Sequence, residues 1–552
     1  MLLMLMAAVQ ADERAAGIEF SEVAAEVGLR FEHVSPFTPQ RHTHLTMGSG
    51  LAWIDVDRDS YPDLYCCQGH RFSPSDGPQR DIADQLFRNR RGKFHPAADA
   101  FSNACRAYSM GAAVADFNAD GFDDLFVSCF GPDHLYLNNG DGTLTHAESV
   151  SFPADEFGAG CSWLDVDGDG LLDLFVANYL QLDIHDYQLC QATHLGQTIY
   201  ITCHPRRVPP QRDRVLRNLG DGRFEDWTAA AGLIHQPAKQ GLGVAAIDVD
   251  RDFDTDIYVA NDSVENHLWN NDGQGRLTEN GFVTGTALNR SGQREAGMGL
   301  SIADIDANGY LDLFVTNFHS ETNTLYRNEG GLFFLDVTDE LGLAEPGRVR
   351  LGFGTSFLDA DNDGWSDLFI ANGHVHDRLL EIGRGEAFAQ KALFLKNQNG
   401  RRFTDLSIEA GKYFRTDVVG RGCSIADFDR DGRQDIAIQH LNGPVGLLQN
   451  RTVEPGEHLS IELVGSNGNR SAIGAILDVT TGTTTRAVPR VSNSSYLSAD
   501  EGTLHIGLGP HQHAEIVVRW PYGEAESFGQ LDSQQHHVLI QGRGTPVQGG
   551  QQ

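Results

Sequence analysis

Seven times along the chain, oxygen-bearing side chains fall on positions 1, 3, 5 and 9 of a nine-residue stretch. They are Asp55, Asp57, Asp59 and Asp63; Asp116, Asn118, Asp120 and Asp124; Asp165, Asp167, Asp169 and Asp173; Asp248, Asp250, Asp252 and Asp256; Asp304, Asp306, Asn308 and Asp312; Asp359, Asp361, Asp363 and Asp367; and Asp427, Asp429, Asp431 and Asp435. Alternate side chains in a tight loop converge on one point. A Gly at position 6, present in five of the seven, frees the left-handed turn that brings position 9 back to that point. Hard oxygens in this number suit Ca2+, which takes six to eight of them, with the carbonyl of position 7 and a bidentate last Asp completing the set. Magnesium demands stricter octahedral geometry, and zinc would call for the His or Cys ligands that the motif lacks.

Up to seven Ca2+ are therefore expected. Repeats one and four carry Ser60 and Phe253 in place of the Gly, so their turns are expected to be strained or differently shaped and their sites weak. Asp254, at position 7 of repeat four, offers an additional side-chain ligand. The same Asp residues could serve only to cap turns. Four clustered anions without a cation repel strongly, however, which favours the metal reading for the set.

The charge balance agrees with a local role. The formal net charge is −34, which argues against nucleic acid or an anionic membrane as partner. Of the 28 ligand positions only Asn118 and Asn308 are neutral, so the loops carry −26 and the remainder of the chain −8. With 40% hydrophobic residues and 30 Phe, the composition is that of a packed chain and not of an acidic disordered one.

The elements that must position these loops follow from their spacing. The first carboxylates lie 61, 49, 83, 56, 55 and 68 residues apart, a repeat architecture. In repeat five, Gly297 and Gly299 precede a short apolar strand, the carboxylate loop follows, and LDLFVTN, TLYRN and LFFLDVT read as three more strands. Four meandering strands per period predict an all-β fold: a seven-bladed β-propeller over 12–453, followed by a small β-sandwich. Repeat seven stops at its third strand, GLLQN. Residues 18–28, IEFSEVAAEVG, repeat the fourth-strand pattern of 224–232 and 403–411, so the N-terminal strand is expected to complete blade seven.

If the loops join first to second strands, all seven ions share one face. The second strands then end on the opposite face, at Asn178-Tyr179, Asn261-Asp262, Asn317-Phe318-His319, Asn372-Gly373-His374 and His440-Leu441-Asn442. These residues form either a recognition surface or a set of turn-capping amides. The insertion 181–214 is expected to project from this face, with Cys190 and Cys203 placed to close it as a disulfide; pairing among Cys66, Cys67, Cys105 and Cys129 stays open. Cys161 and Cys423 occupy the same slot of two repeats and read as small buried thiols.

Residues 1–11, MLLMLMAAVQA, resemble the apolar part of a secretory signal without its basic start, and a secreted, periplasmic or cell-surface location is expected. No stretch approaches the roughly 20 apolar residues of a membrane-spanning helix. The carboxylate repeat ends before 454; 454–541 alternates β-branched runs with turns, and the Gly- and Gln-rich 542–552 reads as a disordered tail.

Ser466–Gly474 (SNGNRSAIG), His505-IGLG and Trp520-PYG resemble the ASPIC/UnbV domain, and the repeats resemble FG-GAP (integrin-type, or VCBS) propeller repeats. Together they are similar to the cartilage acidic protein family, with TNFHSETNTLYRN and ANGHV resembling its bacterial members. The resemblance implies a secreted calcium-binding protein with an adhesive or interaction role.

No G-x-S-x-G elbow or HExxH motif is present, and the Asp residues are committed to the loops. The first reading is therefore a calcium-stabilised protein that binds a protein or glycan through the face opposite the ions. The alternative is an extracellular polysaccharide hydrolase or lyase with the His and Asn ring as its active site, tested at His319, His374 and His376.

Overall fold

The computed structural model describes residues 17–73, 77–79, 82–148, 150–187, 189–466 and 468–547. The expected leader, 1–11, lies outside them. The described chain's regular structure is almost wholly β, 41% strand against 4% helix. Within residues 20–450 lie seven four-stranded antiparallel sheets, six of them with their strands in chain order, and two small two-stranded ones.

Each sheet starts from an inner strand: Leu51–Ile54, Tyr108–Ala115, Gly158–Leu164, Gly241–Ile247, Leu300–Ala303, Gly352–Leu358 and Gly420–Ala426. These strands touch one another in that order, and the seventh touches the first. They approach closely because a glycine lies within or just before each of them where another backbone passes. A Cβ on Gly299 would lie 2.0 Å from the Phe353 carbonyl oxygen, and one on Gly50 2.1 Å from that of Leu497. Between sheets lie apolar layers. Trp163, fully buried, stacks on Phe117 at 5.3 Å between sheets two and three.

The seventh sheet draws its outer strand from the other end of the chain. Phe20–Glu22 pairs antiparallel with Gly446–Asn450, in register Phe20 to Asn450. The Phe20 ring is buried 5.4 Å from that of Phe394 and 6.2 Å from that of Phe414, so the strand is held by packing as well as by its ladder.

Beyond Asn450 the chain forms a three-stranded sheet, ordered Leu504–Gly509, Glu457–Val464, His536–Ile540, and a five-stranded one. Leu459, Ile461, Val479, Ile506, Ile516, Val518 and Trp520 share one core between them. Order extends past the expected boundary at 541, because Thr545–Pro546 pairs with Ala525–Asp532. Glu526 accepts the amides of Gly542 and Gly544, each at 2.8 Å, and this holds a segment whose composition alone reads as disordered.

This C-terminal unit sits on the ring. Its segment 491–500 enters among the inner strands: Leu300 and Ser495 exchange backbone hydrogen bonds of 2.9 and 2.6 Å, and Ala499 N–H donates to the Leu51 carbonyl at 3.0 Å. Tyr496, fully buried, packs edge-on against Phe353 at 4.9 Å.

Candidate metal-binding loops and the opposite face

In every repeat the nine-residue loop joins the first strand to the second, and the position-9 Asp opens the second strand. The position-1 carboxylate organises the turn. Asp248 Oδ1 accepts the amide of Asp252 at 3.1 Å and its Oδ2 that of Phe253 at 3.0 Å; Asp427 does the same with Asp431 and Gly432, at 3.0 and 2.9 Å. Repeats one and four thus keep the shape of the glycine-bearing loops. They do so with Ser60 and Phe253 at φ of 70° and 77°, the strain expected of side chains in the left-handed region. Position 4 is left-handed too, from Arg58 to Arg430, a requirement the sequence reading missed.

The position-9 carboxylate is fixed from both sides. In repeat three Asp173 Oδ2 accepts the Val166 amide at 2.9 Å, and its Oδ1 the Asn218 amide at 2.7 Å. Asn218 then donates through Nδ2 to the Phe117 carbonyl of the preceding sheet, at 3.1 Å. Asn89, Asn271, Asn328, Asn397 and Asn450 repeat the bridge. The signal, an Asn closing each third strand, is present in the sequence and went unused.

The donor set fits a hard divalent cation in most loops. Ligand oxygens of Asp55, Asp57 and Asp63, of Asp165, Asp167 and Asp173, of Asp248, Asp250 and Asp256, and of Asp304, Asp306 and Asp312 lie within 4.8 Å of one another. Buried Asp57 Oδ1, Asp124 Oδ2, Asp250 Oδ1, Asp254 Oδ1 and Asp429 Oδ1 have no hydrogen-bond partner among the described residues, a costly arrangement unless a ligand meets them. Burial, with neighbouring carboxylates adding to it, pushes Asp254 up to about 8 and Asp248 to about 7. Repeat four, with five carboxylates and no basic side chain paired to them among the described residues, is the most anion-rich of the loops.

Repeat six differs. Lys396 reaches in from the third strand, and its Nζ lies 2.6 Å from Asp361 Oδ1, 2.6 Å from Asp363 Oδ2 and 3.6 Å from Asp367 Oδ1. Its ammonium stands where a cation shared by positions 3, 5 and 9 would stand, so this loop does not fit a metal ion as the others do. Arg90 and Arg217 approach only positions 3 and 5 of repeats one and three, from more exposed positions.

The C-terminal unit covers this loop face. Asp304 Oδ2 accepts the Ala487 amide at 2.9 Å, Asp116 Oδ2 lies 3.3 Å from Arg470 Nε, and the Asn362 carbonyl accepts the Gly509 amide at 2.7 Å.

On the opposite face the amides tie the end of the second strand to the chain entering the third. Asn178, Asn261, Asn317 and Asn372 are buried and donate to the carbonyls of Arg212, Glu265, Thr322 and Lys391, at 2.8–2.9 Å. Tyr179 donates to Asp262, His440 bonds Tyr413, and Asn442 holds Ser35. The insertion after Tyr179 forms the hairpin Cys190–His194 and Gln197–Ile201, closed by a Cys190–Cys203 disulfide. It lies over this face, with Tyr187 Oη 3.1 Å from Thr43 Oγ1.

Three residues of the predicted ring do converge. The imidazoles of His374 and His376 are 5.4 Å apart and those of His374 and His319 6.4 Å, while His319 Nε2 lies 3.3 Å from Glu386 Oε1. Buried His319 Nδ1, His374 Nε2, His376 Nδ1 and Glu386 Oε2 have no hydrogen-bond partner among the described residues. Burial pushes His374 down to about 3 and His376 to about 4, so both are neutral near pH 7. Arg421, stacked over Phe353 at 3.9 Å, fixes the His374 backbone through its carbonyl. Glu386 escaped the sequence reading because nothing in its neighbourhood repeats.

Repeated acidic loops on four-stranded sheets, capped by a separate β unit, define a class. Residues 55–127, 116–176, 248–315 and 304–370 match the FG-GAP-like repeat, and 465–546 match the ASPIC and UnbV domain. The chain thus carries FG-GAP-like repeats and an ASPIC and UnbV domain, and over most of its length it is similar to cartilage acidic protein 1. Among its relatives, cartilage acidic protein 1 of Xenopus tropicalis is 21% identical over 457 residues, 78% of this chain and 64% of that protein. The Homo sapiens protein of the same name is 21% identical over 523 residues, covering 89% of this chain and 71% of its own length. Solved structures with some likeness include an Agrocybe aegerita lectin recognising non-reducing terminal N-acetylglucosamine (15% identity, 72% of this chain, 87% of that one, TM-score 0.40). The BP39L lectin of Burkholderia pseudomallei is another (11% identity, 74% and 99%, TM-score 0.41).

Proposed function

We infer that the chain is an extracellular calcium-binding interaction protein that takes a protein or glycan ligand on the face opposite the carboxylate loops. Its seven sheets are read as blades of a closed seven-bladed propeller, supported by the contacts running round the inner strands, and its two C-terminal sheets as a sandwich. Calcium occupies the carboxylate loops other than that of repeat six. The Cys190–Cys203 disulfide agrees with an oxidising compartment. Among the described residues no helix is long and apolar enough to cross a membrane.

One observation carries the choice of face. The C-terminal unit occupies the loop side and fills the axis with residues 491–500, whereas the other side presents the unsatisfied buried atoms of His319, His374, His376 and Glu386. Screening the chain on glycan and protein arrays, with and without Ca2+, tests the reading. Binding that His374→Ala and Glu386→Gln weaken supports it; binding that both variants retain moves the ligand elsewhere.

A hydrolase or lyase acting on extracellular polysaccharide is the second reading, favoured by the 3.3 Å approach of His319 Nε2 to Glu386 Oε1. The carboxylate would orient the ring and leave Nδ1 to act as a base. Turnover of a polysaccharide that His319→Gln abolishes would favour it over binding alone.

A further inference from the structure

A second kind of donor cluster lies in sheet two, away from the carboxylate loops. Cys105 leads into the inner strand Tyr108–Ala115, Cys129 sits on Asp124–Phe130, and His134 opens His134–Asn138. Sheet folding alone brings the three together. One ligand atom from each lies within 4.8 Å of the others, with both cysteines buried and His134 half-buried at the rim.

The sulfurs are 3.9 Å apart. That is far beyond the roughly 2.05 Å of a disulfide. Two thiolates bound at about 2.3 Å to one tetrahedral ion stand about 3.8 Å apart. The histidine is oriented as metal ligands are. Its Nδ1 lies 3.0 Å from Nε2 of His146 on the outer strand, and its ring also bonds the Cys105 side chain, the contact that a shared ion would replace. Outer partners are also in place: the Cys129 amide donates to Asp133 Oδ1 at 2.8 Å, and Ser109 Oγ lies 3.3 Å from Cys105 Sγ and 2.7 Å from Asp84 Oδ2.

The geometry points to a thiophilic d10 cation, Zn2+ or Cu+, held by Cys105, Cys129 and His134. Two thiolates and a neutral imidazole carry a charge of −2, which Zn2+ cancels. Three ligands suit a Zn2+ that keeps one further position or a three-coordinate Cu+. Soft sulfur excludes the hard cation of the loops, so the chain would separate two metals by donor type.

The test is elemental analysis of the full chain purified reduced and without chelators, which counts zinc and copper separately from any loop-bound calcium. One zinc or one copper per chain is expected, and the element found distinguishes the two. His134→Gln should lower that content at least tenfold while leaving the circular dichroism spectrum unchanged. Cobalt substitution of the unaltered chain should give sulfur-to-metal charge-transfer absorption without any mutation. A Cys105–Cys129 disulfide in peptides mapped without reduction overturns the proposal. So does a reduced chain that takes up neither Zn2+ nor Cu+.

Discussion

Asn450 and Asp435 tie the seventh sheet to the sixth. The Asn450 amide donates to Asp435 Oδ1 at 2.7 Å, and its side-chain Nδ2 donates to the Ala360 carbonyl at 2.8 Å. One residue thereby fixes the last carboxylate of its own loop and the second position of its neighbour's. Replacing Asn328, which bridges in the same way, by Ala leaves two buried carbonyls unmet and should cost about 2–3 kcal/mol. Urea denaturation in saturating Ca2+ measures it, and an unchanged midpoint would refute the bridge.

Lys396 makes a prediction about metal count. A tethered ammonium shared by three carboxylates renders loop six independent of added cations. Lys396→Gln should therefore bind one more Ca2+ than the unaltered chain, by calorimetric titration, and lose more of its melting temperature to a chelator. Equal stoichiometry in the two chains would show that the ammonium does not substitute for the ion.

The pH response of the metal-stripped chain follows from burial. Burial first, and neighbouring carboxylates second, push Asp55, Asp116 and Asp304 up to about 6, Asp165 and Asp427 to about 7, and Asp63 and Asp124 to about 8. These lie above the ordinary value near 3.9, so between about pH 4 and 8 the folded chain holds protons that the unfolded chain has lost. Stability then falls as pH rises through that window. The stripped chain should melt higher at pH 5 than at pH 8, and Ca2+ should recover most at pH 8. Calorimetric scans at both values check the sign.

What the sequence made legible was whatever repeats. The carboxylate spacing, the apolar second strands and the matching patterns at 18–28 and 403–411 are local, and each recurrence reinforces the last. What it hid is singular and distant. Lys396 belongs to a third strand where other repeats carry Arg, Leu, Asn or Gln, and only the folded register aims it into the loop. Glu386 meets His319 across 67 residues of chain that follow no periodic rule. The opposite-face amides were readable in type but ambiguous in role, because a turn cap and a ligand donor are the same residue until a partner carbonyl appears.

The N-terminal strand offers a compact test of how the ring is fastened. Phe20 is 2% exposed and its amide donates to the Ala410 carbonyl at 2.7 Å, so it belongs to sheets six and seven at once. Phe20→Ala should cost about 3–5 kcal/mol, as large-to-small changes at buried aromatic sites do. Removing residues 12–30 should lower the melting temperature further, and an unmoved melting temperature would show that the strand is dispensable.

Tyr496 decides whether the C-terminal unit is an appendage or a part of the ring. Its ring packs on Phe353, while the neighbouring backbone bonds Leu51, Ala112 and Leu300 on three different sheets. Its buried hydroxyl has no hydrogen-bond partner among the described residues. The ring and not the oxygen must therefore do the holding. Tyr496→Phe should match or exceed the unaltered chain in melting temperature, since it removes an unsatisfied group. Tyr496→Ala opens a cavity at the axis and should lower it, exposing the connection near residues 451–456 to protease while both units keep their β spectra. If the two substitutions behave alike, the axial packing is not what joins them.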